Sequence, residues 1–166
     1  MFDNPAQHWT AMCESISVLV NSQRDPSADR KDARMSTAAM LDTHPSSAKI
    51  DRATLARAID ACLACLQTCT ACADACLAEP DVIEMVRCIR DDIDCADVCE
   101  ATSLILSRQT AGEPQLTRAV LEACILACDT CAASCGEHRD HHEHCRICEE
   151  TCQACGQACR AVLHAF

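Results

Sequence analysis

The chain has 166 residues, 18 of them cysteine, with 3 glycines, 1 tryptophan, 2 phenylalanines and no tyrosine, and its 25 acidic against 14 basic side chains leave a net charge of −11. That length supports one domain with a real core, and the acidity argues against nucleic acid and anionic membranes as partners. No apolar run approaches the ~20 residues of a membrane span, and cysteine at this density is otherwise typical of short disulfide scaffolds, whose loop-rich character this chain lacks.

Residues 1–46 read as an N-terminal extension. A short apolar stretch from Trp9 to Val20 is followed by "NSQRDPSADRKDAR", a polar segment expected to be flexible. The N-terminus has no basic n-region and no twin arginine, and "ISVLV" is too short for a signal h-region, so a cytoplasmic location is expected. Thiols stay reduced there. Met35, opening "MSTAAMLDTHPSS", is an alternative start of translation that would remove Cys13.

Residues 47–166 divide into four helical stretches. Scarce glycine and aromatics, with abundant Ala, Leu, Ile, Glu, Asp and Arg, favour helix throughout. The first runs over about 47–78, N-capped by Ser46 or Ser47 and stopped by Pro80. The second covers about 81–109, with Asp81 as N-cap and Gly112 as its end. Pro114 suits the first turn of the third, which reaches about Cys135 before Gly136 breaks the chain into "GEHRDHHEH". The fourth covers about 142–163. Short links make successive helices antiparallel, so the expected fold is all-α, an antiparallel up-down-up-down four-helix bundle.

In the first helix Cys62, Cys65, Cys69, Cys72 and Cys76 follow one another at steps of 3, 4, 3 and 4. On a helical wheel they fall within about 80° of one another. The fourth repeats the spacing with Cys145, Cys148, Cys152, Cys155 and Cys159; the third has Cys124, Cys128, Cys131 and Cys135, and the second Cys88, Cys95 and Cys99. Each helix therefore points a stripe of thiols at the bundle axis, giving a cysteine-lined core. Cysteine packs as a small hydrophobe, but four stripes in register have no packing rationale. Disulfides between adjacent turns would strain a helix and suit a reducing compartment poorly. A metal-thiolate core remains.

Zinc and iron–sulfur clusters want four thiolates around one centre. A Zn(Cys)4 site carries net −2, so four such sites would bury about eight negative charges. Cu(I) is soft, prefers thiolate, and is neutral at one ion per thiolate. Pairs four apart (Cys65/Cys69, Cys72/Cys76, Cys95/Cys99, Cys124/Cys128, Cys131/Cys135, Cys148/Cys152 and Cys155/Cys159) place two thiols one turn apart, each pair expected to hold one Cu(I). A metallothionein-like or zinc-binding thiol buffer is the alternative. A thiol–disulfide enzyme would place one CxxC at a helix N-terminus; here the CxxC steps lie mid-helix. No catalytic constellation is visible, so an enzyme is not expected.

An acidic, signal-less four-helix chain with CxxxC-rich seams resembles the cytosolic branch of the bacterial copper storage proteins. The resemblance covers about residues 47–166 and rests on the seam cysteines. It implies storage of many Cu(I) ions in the bundle interior and assembly as a homotetramer. The N-terminal residues are extra to that pattern, and the second helix skips a turn between Cys88 and Cys95, where Asp91 and Asp92 stand. Both are expected at the helix boundary, solvated or paired with arginine; the alternative is an oxygen ligand or a proton acceptor.

The two ends of the bundle differ. Leu55, Ile59, Leu106, Val120, Leu121, Val162 and Phe166 make an apolar plug at one. The other has Cys76, Cys88, Cys135 and Cys145 beneath His138, His141, His142 and His144, with Met85 one turn before Cys88. This end is expected to admit metal from a copper chaperone or a small-thiol donor, as the resemblance also implies. Leu63, Leu66, Leu77, Ile125 and Ile147 point off the seam, toward helix–helix or subunit contacts.

Overall fold

The cysteine periodicity sets four helices: α1 (Arg52–Leu77), α2 (Val86–Ser107), α3 (Pro114–His138) and α4 (Glu143–His164). The computed structural model describes residues 36–46 and 50–165. Expectations about the N-terminal stretch, the start at Met35, Cys13, Ser47 as a cap, and Phe166 fall outside these residues. No strand occurs among the described residues, and the compact unit of the bundle begins at Thr37.

Local chemistry moves several helix ends from where the sequence placed them. Asp51 caps α1, its carboxylate accepting from Thr54 N and Thr54 Oγ1, both at 2.8 Å. An ionised acceptor just before the first apolar turn outcompetes Ser46, and Arg52 donates to the Asp42 carbonyl at 2.8 Å, holding that segment outside the helix. α2 starts at Val86 rather than Asp81, because residues 79–85 form successive tight turns in which Val82 N bonds Glu79 O and Met85 N bonds Val82 O. It ends at Ser107, and Ala111, not Gly112, takes the left-handed backbone of the following link, at φ 52°.

α3 opens at Pro114 as expected but continues through Gly136 to His138. Gly136 is not a break: its backbone stays helical, with no positive φ. A Cβ there would meet the Glu149 carboxylate at 3.5 Å, an ordinary contact, so the position places the glycine beside Glu149 without requiring it.

Each helix packs on two others: α1 and α3 both contact α2 and α4. The chain direction alternates, since Cys62 and Cys76 of α1 meet Cys159 and Cys145 of α4, and Cys88 and Cys99 of α2 meet Cys135 and Cys124 of α3. The architecture is the up-down-up-down bundle. Leu55, Ile59, Leu106, Leu121 and Val162 are buried and close one end; Val120 is half-buried. Residues 36–42 are helical, Leu41 is buried in the core, and Thr37 Oγ1 donates to Asp60 at 2.6 Å.

Leu63, Leu77 and Ile147 are exposed, and Leu66 and Ile125 half-buried. Contrary to the reading of the sequence, α1 and α3 are long and apolar enough to cross a membrane by length and composition alone. Their apolarity is largely cysteine and alanine, and the cysteines face the bundle interior.

Candidate metal centre

The stripe on each helix turns inward because its residues recur every 3.5 positions, the period that keeps one face on a bundle axis. All seventeen described cysteines are buried and free. Their sulfurs lie 3.4 to 4.0 Å from one another along the axis. Same-helix pairs are brought together as the spacing suggested, but distance does not set them apart from their cross-helix neighbours. Cys65/Cys69 stand 3.7 Å apart and Cys95/Cys99 4.0 Å. Cross-helix contacts are as close or closer: Cys69/Cys152 at 3.4 Å, Cys88/Cys135 and Cys131/Cys152 at 3.5 Å, Cys65/Cys152 at 3.6 Å. Four converging stripes make the gap between helices equal to the step along one.

The result is a column of overlapping tetrads. From the plug outward these are Cys62/Cys124/Cys155/Cys159, Cys65/Cys99/Cys128/Cys155, Cys65/Cys69/Cys95/Cys152 and Cys69/Cys131/Cys148/Cys152, each with its ligand atoms within 4.8 Å of one another. Cys65, Cys69, Cys152 and Cys155 each belong to two of them. A tetrahedral site with ~2.3 Å metal–sulfur bonds needs sulfurs about 3.8 Å apart, so spacing alone admits several soft metals. Thiols within reach of two tetrads suit a continuous thiolate-bridged cluster rather than a set of isolated four-thiolate centres.

Asp92 interrupts the column. It is fully buried, and its Oδ1 accepts from Cys131 at 3.0 Å, Cys148 at 3.2 Å and Cys135 at 3.5 Å, with Cys88 4.0 Å from Oδ2. Burial first, then repulsion from Cys148, push its carboxyl up to about 8, against the hydrogen bond from Cys131. The expectation of a solvated or arginine-paired side chain fails for Asp92, since the missing turn of α2 leaves a gap that only this side chain fills. It holds for Asp91, which pairs with Arg87 at 2.7 Å and accepts from Ser134 Oγ.

At the histidine end, His144 reaches inward. Its Nδ1 lies 3.4 Å from Cys145 Sγ, 3.5 Å from Cys72 Sγ and 3.9 Å from Cys76 Sγ, making a mixed group of three thiols and one imidazole. Burial is the main cause that raises the Cys76 thiol and pushes Cys145 up to about 12, so these thiols are neutral until a metal displaces their protons. Outward, the His142 ring lies 5.4 Å from that of His144, and His138 lies 6.4 Å from His142. His141 is exposed and stands apart from this row. Met85 is fully buried in the core rather than offered to solvent.

Reading the sequence missed three residues here. Glu79 Oε1 stands 3.1 Å from both His142 Nδ1 and His144 Nε2. Arg139 and Glu149 pair at 2.7 Å across the α3–α4 turn. Glu79 precedes a proline in a turn and carries no local signal. Glu149 lies one residue past Cys148, off the thiol stripe, and could have been flagged only as a carboxylate beside a glycine on the neighbouring helix.

A family model described as copper storage protein matches residues 51–164. The protein YhjQ of Bacillus subtilis, described as an uncharacterized cysteine-rich protein, is 32% identical over 104 residues, which are 63% of this chain and 91% of that protein. The structure of the copper storage protein Ccsp from Streptomyces lividans, loaded with 10 copper equivalents, aligns with a TM-score of 0.77 at 49% identity over 78% of this chain and 99% of that one. A second structure, of a cytosolic copper storage protein from the same organism with five coppers, aligns with a TM-score of 0.66 at 53% identity over 67% and 92%. With an all-helical bundle, a thiol-filled axis and a family match over most of its length, this chain belongs to the copper storage protein family.

Proposed function

We propose that the chain stores many Cu(I) ions in the interior of its bundle, with Cys62, Cys65, Cys69, Cys72, Cys76, Cys88, Cys95, Cys99, Cys124, Cys128, Cys131, Cys135, Cys145, Cys148, Cys152, Cys155 and Cys159 as ligands. The observation that carries this is the sharing of thiols between successive tetrads. A bridging thiolate balances one Cu⁺ per sulfur, so a continuous column stays neutral in a dry interior. Zinc can also share bridging thiolates, but four-coordinate zinc-thiolate clusters keep more thiolate charge than metal charge and would bury net negative charge. The relative from Streptomyces lividans that carries 10 copper equivalents supports the same reading.

Metal is admitted at the histidine end. His138, His142 and His144 form a row of rings leading to Cys72, Cys76 and Cys145, while the opposite end is filled by leucine, isoleucine and valine. His141 widens the set of surface imidazoles, and Met85, buried one turn before Cys88, is a reserve thioether ligand at this end. The donor is a copper chaperone or a small-thiol complex, since the surface imidazoles and the outermost thiols beneath them offer stepwise exchange. The place of work is the cytoplasm, as for the cytosolic relative. Exposed Leu63, Leu77, Leu126 and Ile147 support assembly as a homotetramer. The role is storage rather than catalysis.

Anaerobic titration of the reduced full-length chain with Cu(I) against a competing chelator, read by native mass spectrometry, tests this. Binding should continue past ten equivalents per chain, on a species of four chains. Saturation near four equivalents, with zinc retained equally well, would favour the zinc-type thiol buffer.

A further inference from the structure

We infer that Glu79 is a positioning residue for copper exchange, fixing which nitrogen of His144 faces the thiols. The inference rests on the storage reading for its effect on copper, though not for its structural part. A neutral imidazole has one N–H and one lone pair, and only the lone pair can take a metal. His144 stands between two environments. Its Nδ1 faces the sulfurs of Cys145, Cys72 and Cys76 at 3.4, 3.5 and 3.9 Å. Its Nε2 faces Glu79 Oε1 at 3.1 Å.

A carboxylate only accepts hydrogen bonds. It therefore selects the form in which Nε2 carries the hydrogen and donates it outward. The Nδ1 lone pair is then left toward the three sulfurs. Without Glu79 the inner nitrogen is free to carry the hydrogen instead, donating it toward a sulfur and blocking the position that copper would take.

Placement of Glu79 follows from the turn after α1. The chain leaves the helix at Ala78, and Glu79 N still bonds Cys76 O at 3.3 Å, which ties this carboxylate to the segment carrying Cys72 and Cys76. His144 comes from the first turn of α4. Glu79 thus couples the two helices whose thiols flank the outermost group. The same oxygen lies 3.1 Å from His142 Nδ1, and Asp81 Oδ2 lies 3.6 Å from His142 Nε2, so His142 lies between two carboxylates. Carboxylates behind ligating histidines set ring orientation and basicity, and removing one costs about 10–100-fold in metal affinity or activity.

Two variants of the full chain test the assignment, Glu79→Ala and Glu79→Gln; the amide oxygen of Gln can still accept from Nε2–H. Nitrogen-15 NMR of the reduced, metal-free protein reads the His144 tautomer directly. Stopped-flow mixing with the Cu(I)–glutathione complex reads loading, and titration reads capacity. Wild type should show the Nε2–H form. Glu79→Ala should lose that preference and load about tenfold more slowly at unchanged capacity, with Glu79→Gln keeping the tautomer and most of the rate. An unchanged tautomer in Glu79→Ala overturns the inference, as does equal slowing in both variants with the tautomer intact. Should wild type bind no more than about four equivalents, the storage reading fails, and the tautomer measurement still decides the role of Glu79.

Discussion

Replacing Asp92 by Asn asks what a carboxyl does inside a column of thiols. Asp92 is fully buried, and its group sits at about 8 instead of the ordinary 3.8. In the folded, metal-free protein it therefore holds a proton over a window, about pH 4 to 8, in which the unfolded chain does not. A group raised in this way stabilises the fold least at high pH. Its contribution falls as pH rises through the window, by about 1.4 kcal/mol per pH unit. Asn keeps the shape and an acceptor oxygen for Cys131 and Cys148 but does not titrate. The stability of Asp92→Asn relative to wild type should therefore grow by about 3 kcal/mol between pH 5 and 7.5. Urea denaturation of reduced, metal-free protein under argon, followed by far-UV circular dichroism, gives both curves. Taking their difference removes the thiols common to both. A difference that stays flat across this range, or that shrinks with pH, would refute the reasoning and mean that Asp92 is ionised among the sulfurs.

Replacing His141, His142 and His144 together by Ala should slow copper loading and removal at nearly constant capacity, measured by stopped flow and titration; loading at the wild-type rate would assign the mouth to the wrong end. Leu121 is fully buried in the plug, so Leu121→Ala should cost about 2–5 kcal/mol in urea denaturation. Copper capacity should be kept, because the seam is untouched.

Much of the architecture was legible because one periodicity served two purposes. Steps of 3 and 4 between cysteines marked both the helices and the face they bury, so the bundle and its axis came from a single pattern. What the pattern could not carry is how four stripes interlock. Grouping Cys65 with Cys69 was right about distance, but the pattern could not show that Cys152 of α4 lies as near to both. Helix ends failed where a local feature was outweighed. Gly136 reads as a breaker, yet one glycine costs a helix only about 1 kcal/mol, and the helix packed on α4 runs through it to His138. Asp92 reads as a boundary residue at about 40° from the stripe centre; the absent cysteine on α2 leaves room for it to turn inward. Glu79 lay beyond reach, since only the folded turn brings it to His144.

The overlap of the tetrads has a consequence for how the store empties. A thiol common to two sites lets an ion move between them by breaking one bond and making another, without leaving the sulfur lattice. With entry only at the histidine end, as proposed above, the interior would be a stack, last in and first out. Copper near Cys145 and Cys72 turns over with the donor pool. An ion beside Cys62 and Cys124 can leave only after vacancies have travelled the length of the column to reach it. Protein with the same total copper but a different loading history should then surrender an isotopically labelled last addition first.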